Sequence, residues 1–132
     1  MKLSEAILLG SIGSIQGVGP ESIDPRNRHK GLCAMGAALY AVNCTGNMWD
    51  GMESISHIWP WTNRPEQPPI VLFGRPESTY TVQGIIWRLN DLCNWTRPQI
   101  AAWVASIEPE EGGTLCDNIN LAVQSLDTVS PR

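Results

Sequence analysis

The crowding of proline into the middle of the chain limits its fold more than any other sequence feature. Five of the ten prolines lie between Pro60 and Pro76, and proline interrupts helices and central strands alike. Three of the six tryptophans fall in the first half of residues 43–81: Trp49, Trp59 and Trp61. Long helices are therefore confined to the flanks, and residues 43–81 are interpreted as an irregular Pro/Trp-rich excursion laid over a helical core.

The size and charge of the chain predict one compact domain over residues 1–132. Its 132 residues are 42% hydrophobic and 17% charged, with a formal net charge of −4. A chain of this length buries enough surface for a single core, and an acidic chain is a poor general binder of nucleic-acid phosphates. No apolar run approaches the ~20 residues of a membrane span. We therefore expect a cytoplasmic protein (in the bacterial host cytoplasm if phage-encoded) with reduced, mostly buried cysteines.

Apolar residues recur at helical spacing in the flanks, which predicts an all-α fold of four or five short helices. Ser4 is the expected N-cap of an amphipathic first helix, in which one stripe follows helical spacing: Ile7, Leu8, Ser11, Ile12 and Ile15. The second spans Gly31–Val42 and buries Leu32, Met35, Leu39 and Val42. A short helix is expected over Met48–Ile58, with Met48, Met52, Ile55 and Trp59 on one face. A further helix spans Thr81–Cys93 and buries Ile85, Ile86, Leu89 and Leu92.

The clearest local signal is the capping box Thr96-Arg97-Pro98-Gln99. It opens a helix whose apolar stripe ends before Glu108-Pro109: Ile100, Trp103, Val104 and Ile107. Asn94 is the expected left-handed residue that stops the preceding helix. Asp117 is the predicted cap of a short C-terminal helix within 109–132, and Ile70–Thr81 leaves room for one small β-hairpin.

Catalytic chemistry has weak support in the sequence. Cys33 follows His29 by four residues near a helix start, where a thiol pKa falls, but a third orienting group is missing. Gly17–Ser22 resembles a phosphate loop without the preceding strand that such a loop requires. The scattered Cys and His residues form no metal-ligand cluster. We therefore predict no catalytic residue, no metal and no cofactor, and keep a Cys33-dependent enzyme as an alternative.

Binding chemistry is better represented. Trp59 and Trp61 flank Pro60, and tryptophan and arginine are enriched at interface hot spots. The candidate binding residues are Trp59, Trp61, Arg64 and Arg75 on the excursion, and Arg26, Arg28 and Lys30 on the Gly17–Lys30 loop. In this hypothesis Trp59 or Trp61 is partly exposed. The alternative is that both indoles fill the core.

Five blocks of the sequence resemble a family of small uncharacterised bacterial and bacteriophage proteins. They are Leu3–Ile7, Cys33–Ala38, Trp59–Trp61, Leu89–Asp91 and Trp95–Val104. The resemblance implies a compact helical domain in a prokaryotic or viral setting and implies no activity. Some members carry a C-P-x-C pair where this chain has Pro68-Pro69, so a metal role does not transfer.

Together these features predict a small non-enzymatic interaction protein whose partner is another protein. In a phage setting, such a protein often acts as a counter-defence inhibitor of a host machine. The alternative is a protein that sequesters a nucleotide signal, with indoles stacked on the base and Arg26, Arg28 and Lys30 on the phosphate. The sequence leaves self-association open.

Overall fold

The computed structural model describes residues 1–44, 51–72 and 80–110. These ranges contain five α-helices: α1 (Leu3–Ile12), α2 (Ala34–Ala41), α3 (Gly51–Ile58), α4 (Val82–Asp91) and α5 (Arg97–Ile107). Short 3₁₀ turns cover Pro20–Ile23, Pro25–Asn27 and Pro60–Asn63. The all-α prediction is confirmed. The ranges hold two isolated β-bridges and no named strand, and most of the suggested hairpin lies outside them.

Helix α2 lies at the centre of the fold because its small and apolar side chains allow neighbours on several sides. Its residues Ala34–Leu39 are all buried, as predicted for this helix. Helix α1 crosses it with backbone in near contact, since a Cβ added to Gly10 would lie 1.7 Å from the Ala37 carbonyl oxygen. Only glycine fits at this crossing.

Two predictions for α1 need correction: its N-cap is Lys2 rather than Ser4, and Ile7 is the only residue of the predicted stripe that is buried. Leu3, Ala6, Ile7 and Gly10 face the core, whereas Leu8, Ile12 and Ile15 are exposed by 46%, 84% and 62%. Helix α1 is apolar on both sides, so the spacing of its apolar residues matches two stripes equally well. The close crossing at Gly10 decides between them, because it requires the small residues to face α2.

Helices α4 and α5 follow the sequence rules closely. The Thr81 side chain caps α4, Asn94 has a positive φ of 56°, and Thr96 with Gln99 forms the predicted capping box. Ile85, Ile86, Leu89, Ile100 and Val104 are buried as expected. Leu92 is a correction: it follows the last turn of α4 and is 66% exposed.

The excursion is more ordered than the sequence predicts, since α3 and a 3₁₀ turn lie within its described part. Ile55, Ile58 and Trp59 join the core, whereas Met52 is 40% exposed. Met48, Trp49 and the predicted C-terminal helix after Asp117 lie outside the described residues. Within the ranges that the structure covers, every helix is too short or too polar to span a membrane.

The cysteines depart in part from the expectation of free thiols. Cys33 and Cys93 are free, whereas Cys44 is disulfide-bonded and buried. Cys116 lies outside the described residues. The expectation of a reduced thiol is therefore wrong for Cys44.

Candidate functional site

A buried polar network holds the glycine loop that follows α1. Asn90 on α4 accepts from Gln16 Nε2 (3.2 Å) and Ala34 N (3.3 Å), and donates to the Gly17 carbonyl oxygen (2.9 Å). The Gly19 amide donates to the Asp91 carboxylate at 2.9 Å. The loop therefore binds an anion of its own chain, and its resemblance to a phosphate loop has a structural explanation.

Arg97, at the start of α5, holds the end of α1 and the residues that follow it. Its guanidinium donates to the Ser14 hydroxyl (2.8 Å) and to four carbonyl oxygens, those of Ser11, Ser14, Ile15 and Leu32. The residue is only 6% exposed, and burial lowers its pKa. A cation near the C-terminal end of α1 also suits the helix dipole. Arg97 is thus a structural clamp between α5 and α1.

Cys33 lies inside this network as the N-cap of α2, where its Sγ accepts from Gly36 N at 3.4 Å. Burial raises the pKa of the thiol, and the Asp91 charge raises it further, while hydrogen bonds from Gly36 and Ser22 partly oppose this. A protonated thiol is a poor nucleophile. His29 is exposed on the loop. These features weigh against the Cys33-dependent enzyme.

The two indoles of the Trp-Pro-Trp segment have different environments. Trp59 is fully buried and its Nε1 donates to the Met1 carbonyl oxygen at 3.0 Å, so its ring belongs to the core. Trp61 is half-buried, and the Arg64 guanidinium lies 5.1 Å from its ring centroid. Arg64 also donates to the Ile107 carbonyl oxygen. The partly exposed member of the pair is therefore Trp61. Arg75 lies outside the described residues.

The basic loop residues lie on a different surface. Arg26 forms a 2.7 Å ion pair with Asp24, and this hydrogen-bonded partner lowers the pKa of the carboxyl. Arg28 lies over the Tyr40 ring and, with His29, lines an open groove of about 390 Å³ beside the end of α1. Lys30 is exposed. No tryptophan lines this groove, so it does not join the indoles to the basic loop as nucleotide binding would require.

A second groove is lined by two tryptophans that are not among the predicted binding residues. Trp95, which precedes α5, and Trp103 on α5 line an apolar groove of about 410 Å³, here called the indole groove, whose other walls are Gln99, Ala102 and Pro69. Both indoles are half-buried. Arg64 contacts the Ile107 end of α5 and Pro69 reaches its first turns, so the segment 64–69 runs along this helix. We call Trp61, Arg64, Pro69, Trp95 and Trp103 the indole surface.

Sequence reasoning missed Trp95 and assigned Trp103 to the core stripe of its helix. A signal was available: Gln99 and Trp103 lie four residues apart, beside rather than on the stripe of Ile100 and Val104, and Trp95 directly precedes the capping residue Thr96. An indole at the margin of an apolar stripe remains half exposed. The described residues contain no group of three or more His, Cys, Asp or Glu side chains able to hold a metal ion.

Comparison with protein-family models, with curated proteins and with solved structures finds no match to this chain.

Proposed function

We propose that this chain is a small non-enzymatic interaction protein that binds another protein through the indole groove. The observation that carries the proposal is the pair of half-buried indoles, Trp95 and Trp103, that line an open apolar groove. Tryptophan in a partly desolvated pocket is the residue type most enriched among interface hot spots. Arg64, stacked on Trp61 nearby, supplies the arginine that such surfaces often contain.

The chemistry of the groove favours an extended, uncharged and proline-containing segment of the partner. Its lining includes two flat rings and Pro69 but no charged side chain. Aromatic-lined grooves bind polyproline II segments, whose backbone carbonyls remain free to accept hydrogen bonds. Gln99 uses its Oε1 in the capping bond from Thr96 N (2.8 Å), which leaves its Nε2 to donate to such a carbonyl.

The alternatives have less support. The Cys33 thiol is buried with a raised pKa, which is unfavourable for a nucleophile. Nucleotide binding in the predicted form needs an indole beside the basic loop of Arg26, Arg28 and Lys30, whereas no tryptophan lines the groove that contains Arg28. A counter-defence role against a host protein remains a hypothesis that depends on the resemblance to bacterial and bacteriophage proteins.

Selection of peptides from a display library tests the proposal, with the full chain as target. We expect enriched peptides to contain proline and aliphatic residues. Their affinity should fall about 30-fold in Trp103→Ala, which corresponds to the ~2 kcal/mol of a hot spot. Trp87→Ala is the matched control, because this indole is 41% exposed but lies outside the groove lining. Peptides that bind Trp103→Ala as tightly as the wild type would contradict the proposal.

A further inference from the structure

The groove beside the end of α1 combines apolar and basic side chains. Ile12 and Ile15 line one part of it, and Arg28 and His29 of the loop line another. All four side chains are exposed, and the described lining contains no acidic residue. We call this groove the α1 groove.

The Arg28 guanidinium has no carboxylate partner in the part of the chain that the structure describes. It lies 5.6 Å from the centroid of the Tyr40 ring, a stacking contact that leaves the edges of the guanidinium free to donate. Asp24, the acid nearest to it in sequence, is paired with Arg26 at 2.7 Å. Glu21 lies outside the groove lining. The charge of Arg28 is therefore available to an external anion.

A second guanidinium lies behind the groove. Arg97 donates to the Ser14 hydroxyl and to the Ile15 carbonyl oxygen, and both of these residues line the groove. All of its hydrogen bonds go to uncharged oxygen atoms, although buried charges are normally paired. Its charge offsets the negative end of the α1 dipole. The groove thus has an excess of positive charge in a chain of net charge −4.

We propose that the α1 groove binds a small aliphatic carboxylate, with its head on the Arg28 guanidinium and its alkyl chain on Ile12 and Ile15. The forked donors of arginine match the two oxygens of a carboxylate. Phosphate sites commonly use backbone amides at a helix N-terminus, whereas this groove lies at the C-terminal end of α1. A singly charged head is therefore favoured over a phosphate.

The size and position of the groove suit such a ligand. Its volume of about 390 Å³ is that of a small-molecule site. It shares no lining residue with the indole groove. Carboxylate binding is thus a second function, and it can succeed or fail independently of the proposed protein partner.

Two-dimensional NMR of the ¹⁵N-labelled full chain, titrated with sodium octanoate, tests the proposal. The amide signals of Gly13, Ser14 and His29 should shift, with a dissociation constant of about 0.1 mM for so small a ligand. Acetate has the head without the tail, and 1-octanol has the tail without the head. Each should bind at least about tenfold more weakly, because each makes only part of the contacts.

Variants separate the two halves of the site. Arg28→Gln should weaken octanoate binding about tenfold and leave 1-octanol binding unchanged. Lys30→Gln is its matched control, because it removes the same charge from the same loop outside the groove lining. Ile12→Gln should also weaken octanoate binding, whereas Leu8→Gln on the same helix should not, since Leu8 lies outside the lining. The NMR spectra report whether each variant folds, and Arg28→Lys, which loses the fork, replaces Arg28→Gln if that variant does not.

Four results would overturn the proposal. The first is octanoate that binds no more tightly than acetate or 1-octanol. The second is a set of shifts centred on Trp103, which would assign octanoate to the indole groove. The third is unchanged binding in both Arg28 variants. The fourth is an equal loss in Lys30→Gln, which would reduce the effect to general attraction between charges.

Discussion

The Arg97 guanidinium donates to the Ser14 carbonyl oxygen at 2.6 Å and to the Ser14 hydroxyl at 2.8 Å. These two bonds join the first turn of α5 to the chain just beyond α1, residues 83 positions apart in sequence. Carbonyl groups past the end of a helix have no partner within it. Arg97 supplies donors to several of them and so reinforces the end of α1, whose C-cap is Gly13.

Replacing Arg97 tests this clamp. Arg97→Met fills similar space but removes every donor, and we expect it to lower the free energy of unfolding by about 2–3 kcal/mol, because buried carbonyls lose their partners. Arg97→Lys should lose less, since an ammonium keeps the charge and some of the bonds. Urea titration measures both variants. A lysine variant as stable as the wild type would show that the forked geometry of the guanidinium is unimportant.

Gly10 lies where α1 crosses α2. Whether alanine at this position stabilises or destabilises the protein depends on steric contact with α2 rather than on helix propensity. Alanine is about 1 kcal/mol better than glycine inside a helix, yet Gly10→Ala would put a Cβ 1.7 Å from the Ala37 carbonyl oxygen. We expect Gly10→Ala to destabilise the protein by ~3 kcal/mol or more, because backbone must move.

Gly13→Ala is the control for this crossing, because its added Cβ would meet the Tyr40 side chain at 2.8 Å rather than backbone. A side chain can shift, so Gly13→Ala should cost clearly less. Thermal or urea unfolding of both variants decides. A Gly10→Ala protein as stable as the wild type would show that the helices do not cross at this point.

Local signals predicted α4 and α5 well, since Thr81, Asn94 and Thr96 act within a few residues of the bonds they form. Such local signals could not predict which face of α1 packs against the core. Its apolar residues lie on both sides, and the choice between the sides depends on Ala37 in another helix. Periodicity gives the existence of a helix more reliably than its orientation when both faces are apolar.

The candidate site was predicted only in part. Trp61 and Arg64 are together, as the sequence suggested, but Trp59 is in the core because its Nε1 reaches the Met1 carbonyl oxygen. The indole groove joins Pro69 to Trp95 and Trp103. Contacts between residues so far apart in sequence depend on how the excursion lies against α5, and no local pattern encodes that.

The two free cysteines should differ sharply in reactivity. In the folded protein, iodoacetamide should modify Cys93, which is half-buried, and spare Cys33, which is 6% exposed with a raised pKa. Peptide mass mapping after timed alkylation separates the two sites. Rapid labelling of Cys33 in native protein would revive the enzyme alternative, since only an accessible thiolate reacts quickly.

The raised pKa of Cys33 also predicts a pH dependence of stability. Burial raises its folded pKa above the value of ~8.5 in the unfolded chain. The thiol's contribution is therefore complete below that value and declines as the pH rises through the folded pKa, because the unfolded state loses its proton first. Unfolding measured from neutral to alkaline pH should show this decline in the wild type and in Cys93→Ala, and a smaller decline in Cys33→Ala.

The Trp-Pro-Trp segment should divide into a core indole and a surface indole. Trp59→Ala removes a ring with 0% exposure and should cost ~3–5 kcal/mol of stability, because its cavity cannot collapse fully. Trp61→Ala removes a half-buried ring beside Arg64 and should cost less than about 1.5 kcal/mol, since cation–π contacts at exposed sites are weak. Urea titration of both variants measures the difference.

Fluorescence provides the independent readout for this pair. In variants that keep Trp59 or Trp61 as the sole tryptophan, acrylamide should quench Trp61 and leave Trp59 largely protected. Phenylalanine at the other positions preserves most of the buried area, and circular dichroism confirms the fold. If both rings resist quenching and Trp61→Ala unfolds the protein, Trp61 belongs to the core. The indole surface is then reduced to the groove between Trp95 and Trp103.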